Sequence, residues 1–189
     1  MSNATSKQQQ PRQDETNSTG NPRPVIAFLN REDSRRAVGN HQEILAALAE
    51  AGLGRVRYRP SFRNATLAEQ ARFAAGADIL LGPHGAQFVN TLFQPACGGL
   101  LEFFNAHYYA PNFFGSLAAL SGKSHFFVYN GGTSARVMHR HRDVPSFDVR
   151  PDVVAGVVRQ MVHVWRDCCR EKEQKLKRNN TLRHCNDTN

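Results

Sequence analysis

The chain has 189 residues, 24 Lys and Arg against 16 Asp and Glu, and a net charge of +8. That length supports one domain with its own core, and the basic balance suits an anionic ligand. No apolar run is long enough to span a bilayer, and the first residues lack the apolar centre of a signal peptide.

Residues 1–22 carry no aromatic and almost no aliphatic side chain, too little to offset their ordering entropy, so they read as a disordered polar leader. Residues 171–189, with Lys172, Lys175, Lys177 and Arg178, read as a basic disordered tail. The folded domain is expected over 23–170.

Val25 to Leu29 is a continuous apolar run, as in a buried parallel strand. The polar loop Asn30 to Arg36 follows, with Arg31, Arg35 and Arg36. Asn40 is expected to cap a helix that carries Ile44, Leu45, Leu48 and Ala49 at helical spacing. Val56 and Tyr58 alternate with Arg55, Arg57 and Arg59, which reads as a strand nearer the sheet edge. Thr66-Leu67-Ala68-Glu69 is a capping box that opens a helix through Ala75, and Gly76 stops it.

Ile79-Leu80-Leu81 reads as a central strand that halts at Gly82-Pro83-His84-Gly85-Ala86, with a helix beyond His84 through Phe93. Leu100 to Phe104 is a strand with Glu102 embedded in it. Pro111 opens a helix through Leu120, and His125 to Tyr129 form a further strand. Residues 130–150 read as a long Gly/Arg/His loop. Pro151 starts a final helix with Val153, Val154, Val157, Val158, Met161 and Trp165 on or near one face.

This alternation predicts an α/β fold: a Rossmann-like parallel sheet with helices on both faces and right-handed crossovers. In such sheets ligands gather at the carboxyl ends of the strands. Three features converge there: Arg31, Arg35 and Arg36; the turn at Gly82 to Ala86; and Glu102. Arginines facing the N–H groups of a helix start clamp a diphosphate, and a nearby acid can take a ribose diol or sugar hydroxyl. His84, beside Gly85 in the turn, can donate to a phosphate or act as a base. His107, His125 and His163 read as packing or surface residues. His139-Arg140-His141 reads as a basic loop and not as a metal pair. The aromatics Phe103, Phe104, Tyr108, Tyr109, Phe113 and Phe114 read as core and cleft wall, without an RNA-binding pattern.

The cysteines, Cys97, Cys168, Cys169 and Cys185, show no zinc spacing. Cys168 and Cys169 cannot both face one partner, and a disulfide to Cys185 or Cys97 stays open. Asn-x-Ser/Thr sequons at Asn3, Asn17, Asn64, Asn179 and Asn186 agree with a secretory context.

The segment from Thr66 to Gln70, then Asp78 through Ala86, Asn90 to Phe93, Pro95, and Leu101-Glu102 resembles the catalytic region of glycosyltransferase family 61. The shared pattern is D-x-x-x-G-x-H-G-A-x-x-x-N-x-x-F-x-P followed by a strand ending in Glu, with an arginine loop upstream. The similarity runs over about residues 25–165, and Gln87 stands where the family often has Gly.

The resemblance implies a GT-B architecture of two Rossmann-like lobes. The length matches its C-terminal, donor-binding lobe, with the family's other lobe and membrane anchor expected outside this sequence. It implies inverting transfer of a sugar such as xylose, arabinose or N-acetylglucosamine from a UDP-sugar to a glycan or protein hydroxyl. No cofactor beyond that nucleotide-sugar substrate, no bound metal and no nucleic acid partner is expected, and the absence of a DxD pair agrees. Arg31, Arg35, Arg36, Gly82, His84, Gly85, Ala86 and Asn90 would hold the donor, Glu102 would sit near the ribose, and His84 would be the base. The implied location is the Golgi or endoplasmic reticulum lumen. The length also favours a second reading, a non-catalytic Rossmann-like lobe that binds a nucleotide or a partner protein.

Overall fold

The computed structural model describes residues 23–32, 34–106, 108–130 and 146–186, without the side chains of 179–186. Strands β1 (Val25–Leu29), β2 (Arg55–Arg59), β3 (Ile79–Pro83), β4 (Gly99–Asn105) and β5 (Ser124–Asn130) alternate with helical segments. These are α1 (His41–Glu50), α2 (Leu67–Ala75), a 3₁₀ helix (Ala86–Phe93), α3 (Asn112–Leu120) and α4 (Pro151–Asn186). All strand pairs are parallel, in the order β2-β1-β3-β4-β5. The α/β, Rossmann-like class expected from the sequence is the one observed.

Strand period divides the core into two layers. On one face Ile26, Phe28, Ile79, Leu81, Leu101 and Phe103 pack against Ile44 and Leu48 of α1 and against Val154, Val158, Met161 and Val162 of α4. On the other, Ala27, Leu29, Leu80 and Leu100 meet Phe73 of α2, Phe88 of the 3₁₀ helix and Ala118 of α3. All five residues of β1 are buried, and so are all five of β3. Burying each of their large apolar side chains contributes roughly 1.5–3 kcal/mol. The strand order runs outward in both directions from the β1/β3 pair, so the crossovers reverse there. That reversal opens a crevice at the carboxyl ends of these two strands.

The capping box forms as expected: the Thr66 hydroxyl accepts from the Glu69 N–H, and the Glu69 carboxylate accepts from the Thr66 N–H at 2.7 Å. Asn40 sits at the start of α1 but makes no side-chain cap there. Its amide instead pairs both ways with the Val149 backbone, at 2.9 and 3.0 Å, and ties the segment before α4 to α1.

The helix after His84 is a 3₁₀ helix. With three residues per turn, Phe88, Thr91 and Gln94 fall on one side, and all three are buried. Gln94 then donates to the Gly99 carbonyl at 3.0 Å and accepts from the Thr91 hydroxyl at 2.5 Å.

The segment expected as a disordered tail is helical as far as Asn186. The sequence after residue 170 buries nothing over 171–178. It is nevertheless rich in Glu, Lys, Gln and Arg, strong helix formers, with Glu171 and Lys175 four apart.

Cys97, just before β4, is bonded to Cys168 on α4. The pairing that the sequence left open is therefore Cys97–Cys168, with Cys169 a free thiol. The bridge lies at the amino end of β4, opposite the crevice. Among the described residues no helix is long and apolar enough to cross a membrane.

Candidate functional site

The carboxyl ends of β1 and β3 are held together by three local devices. Asn30, fully buried, folds the loop after β1 back on itself: its Oδ1 accepts from the N–H groups of Arg31 and Val38, both at 2.9 Å. Its Nδ2 donates to the Val38 carbonyl and to the Tyr58 hydroxyl, each at 3.1 Å. Gly82 packs directly on β1. A Cβ there would lie 2.1 Å from the Leu29 carbonyl oxygen, and its φ of +156° disfavours any other residue. Gln87, where the family pattern often has glycine, turns its amide inward to the Leu29 and Pro83 carbonyls, each at 3.2 Å.

The turn that follows carries the chemistry. The His84 ring is buried against Phe104 and Phe114, with centroids 4.9 and 5.3 Å away. Its Nδ1 is 2.7 Å from Glu102 Oε1, and its Nε2 is 3.1 Å from the Tyr108 hydroxyl. Glu102, fully buried in β4, meets His125 Nε2 with its other oxygen at 2.9 Å. A carboxylate only accepts, so both imidazoles donate to it. With a proton on Nδ1 alone, the ring would leave Nε2 free to accept from the Tyr108 hydroxyl. Burial pushes the Tyr108 pKa up, with Glu102 adding to the rise while Arg36 and Arg31 pull against it. Tyr108 therefore stays a donor at neutral pH.

Two grooves flank this turn. One is lined by Arg36, Pro83, His84, Phe103, Asn105, Tyr108 and Phe147, and the Arg36 guanidinium lies 5.8 Å from the Tyr108 ring centre. The other, more open, is lined by Arg31, Phe62, Arg63, Gln70, Ala86 and Gln87. Arg31 crosses between them and donates from Nη1 to the His84 carbonyl at 3.2 Å.

The residues singled out from sequence thus separate. Arg31, Gly82, His84, Gly85 and Ala86 do meet at the crevice, with Arg36 on the side of His84. Arg35 is exposed on the loop. Asn90 is fully buried: its Nδ2 donates to Gln70 Oε1 at 3.1 Å and to the Gln87 carbonyl at 2.9 Å, while its Oδ1 has no hydrogen-bond partner among the described residues. Glu102 has no open face toward a ribose, because both of its oxygens are taken by histidines.

Sequence reasoning does not single out Arg63; it reads Tyr108 as core or cleft wall, where it does line the groove beside His84, and His125 as a packing or surface residue. No local pattern marks Tyr108 or His125, since their partners are distant in the chain, and Arg63 is marked only by its place in the groove. His107, His139 and His141 lie outside the described residues. Among the described residues no group of three or more His, Cys, Asp or Glu could hold a metal ion.

A family model described as Glycosyltransferase 61 matches residues 3–101, just over half of the chain. A relative from Drosophila melanogaster, named EGF domain-specific O-linked N-acetylglucosamine transferase, is 34% identical over 97 residues. That alignment covers 51% of this chain and 18% of the relative, so the chain spans under a fifth of the relative's length. The family match takes in the arginine loop and the Gly82–Ala86 turn. It stops one residue before Glu102.

Proposed function

The chain belongs to the glycosyltransferase 61 family, and on that premise we propose that it is the donor-binding lobe of an inverting glycosyltransferase of GT-B architecture that uses a UDP-sugar. The observation that carries this is the crevice itself. A histidine whose Nε2 lies 3.1 Å from a hydroxyl stands beside a groove lined by two arginines, at the point where the sheet order reverses.

The diphosphate fits the groove of Arg31 and Arg63, at the start of the 3₁₀ helix beside Gly85 and Ala86. Guanidinium forks and backbone N–H groups suit its oxygens there. Arg35 and Arg36 add positive potential from the neighbouring loop. These cations stabilise the charge that builds on the departing diphosphate.

His84 takes the proton of the acceptor hydroxyl. The acceptor oxygen forms its bond to the anomeric carbon as the bond to the diphosphate oxygen breaks, and that electron pair leaves with UDP. The Tyr108 hydroxyl occupies the position at Nε2 that the acceptor hydroxyl would take. The relative's name makes N-acetylglucosamine the first sugar to test and a protein hydroxyl the first acceptor, with xylose and arabinose as the other donors. The Cys97–Cys168 bridge favours an oxidising compartment such as the Golgi or endoplasmic reticulum lumen.

Calorimetric titration of the full chain with UDP tests the reading. Binding to the parent, weakened at least about tenfold in Arg31→Ala and in Arg63→Ala, is the expected result. A folded parent that binds no UDP would sink it. One observation favours a second reading, a lobe that binds nucleotide without turnover: His84 is 5% exposed beneath Tyr108. UDP binding with no sugar transfer to any acceptor, even in Tyr108→Ala, would select that reading.

A further inference from the structure

We infer that His125 is a positioning residue that sets the tautomer of His84 through Glu102. The inference rests on the reading of His84 as the base for its consequence in catalysis, though not for the tautomer itself.

Glu102 lies on β4 with no exposure. A carboxylate in that place must have both oxygens satisfied, because an unmet buried charge is costly. Two imidazoles meet this need from opposite sides: His84 from the turn after β3 at 2.7 Å, and His125 from β5 at 2.9 Å. With His125 in place the carboxylate cannot rotate without losing a donor. Oε1 is therefore kept on His84 Nδ1. His84 is held with its proton on Nδ1 and its lone pair on Nε2, toward Tyr108.

A histidine so held can accept a proton from a hydroxyl. While neutral it cannot donate from Nε2 to a phosphate. That separates the two roles open to His84 from sequence and favours the base.

A second observation shows that the fold accommodates His125 closely. Gly115 on α3 faces its ring, and a Cβ at Gly115 would come within 2.7 Å of His125 Nδ1 and 2.9 Å of Cε1. The φ of Gly115 is not in the left-handed region, so the backbone does not demand glycine there. The missing side chain makes the room in which the imidazole lies. Glu102, Gly115 and His125 all lie beyond the residues that the family model matches.

The test is long-range proton–nitrogen correlation NMR on the full chain labelled with ¹⁵N-histidine, together with UDP release from UDP-N-acetylglucosamine. The parent should show these two histidines in opposite tautomers, His84 protonated on Nδ1 and His125 on Nε2. His125→Phe should lose the single-tautomer pattern of His84. It should also slow UDP release at least about tenfold with KM little changed, since a positioned base contributes about 10²–10⁴-fold. Gly115→Ala, which crowds the ring, should act in the same direction. His125→Gln, whose amide can donate to the same oxygen, should recover much of the pattern and guards against a variant that does not fold.

The inference is overturned if His84 in the parent carries its proton on Nε2. It is equally overturned if His84 keeps its pattern and its rate in folded His125→Phe. A parent with the opposite tautomers but no UDP release would uphold the relay and overturn His84 as the base.

Discussion

Arg31 reaches from the end of β1 to the His84 carbonyl, 3.2 Å from its Nη1. This one contact spans the two strands between which the crossovers reverse. It lays the guanidinium against Gly85, where a Cβ would come within 2.3 Å of Nη1.

Gly82 and Gly85, three residues apart, should therefore answer differently to alanine. At Gly82 the new Cβ meets backbone, the Leu29 carbonyl, at a φ that alanine avoids. Gly82→Ala should cost at least about 2 kcal/mol, a fall in Tm of about 4–8 °C. At Gly85 the obstacle is the far end of a flexible side chain. Gly85→Ala should fold near the parent Tm but displace Arg31 and weaken UDP binding. Equal Tm losses in the two variants would contradict this account of the turn.

The Cys97–Cys168 bridge closes a loop with a sequence separation of 71 residues. Cross-linking a loop of that length stabilises by about 4 kcal/mol through the entropy of the unfolded chain. Thermal melts with and without reductant should differ markedly, and Cys97→Ala should abolish the difference. Melts that coincide would show that the bridge contributes nothing to stability.

Asn64 begins a sequon on an exposed turn with φ of 60°. If the chain passes through the secretory lumen, this site is open to an oligosaccharide. Expression in a eukaryotic secretory host should yield a product whose peptide over Asn64 carries a glycan, absent in Asn64→Gln. A bare Asn64 in secreted protein would count against the lumenal assignment.

The Tyr58 hydroxyl donates to Glu32 and stacks its ring on His41, with centroids 5.0 Å apart. Its pKa is raised above the ordinary 10.0, first by burial and then by the bond to Glu32. A raised value means the folded state favours the protonated phenol. Its share of stability is thus present below pH 10 and lost as pH rises beyond. Tyr58→Phe should flatten the alkaline limb of Tm against pH. Parallel limbs in parent and variant would remove Tyr58 from the explanation.

Much of this fold is legible in the sequence, and the reasons are local. The run Val25 to Leu29, the capping box at Thr66 and Glu69, and the stop at Gly82 each depend on residues within a few positions of one another. Period and capping act over that range. The sequence predicts a helix after His84 without its 3₁₀ form, because the demand that Phe88, Thr91 and Gln94 share one buried side comes from the sheet above them. The sequence after residue 170 reads as disorder although it is helical, because composition reports burial more directly than backbone conformation.

The order of strand and helix, the family pattern and the arginine loop were determined by the sequence alone, since each is carried by neighbours in the chain. Only the tertiary structure decided what His84 touches. Glu102 is 18 residues away, Tyr108 is 24, and His125 sits 23 beyond Glu102. Two parallel crossovers, β3 to β4 and β4 to β5, bring these side chains together, and no local pattern records such a meeting. The same holds for Cys97 and Cys168, 71 residues apart, because which thiol faces which depends on where α4 lies across the sheet.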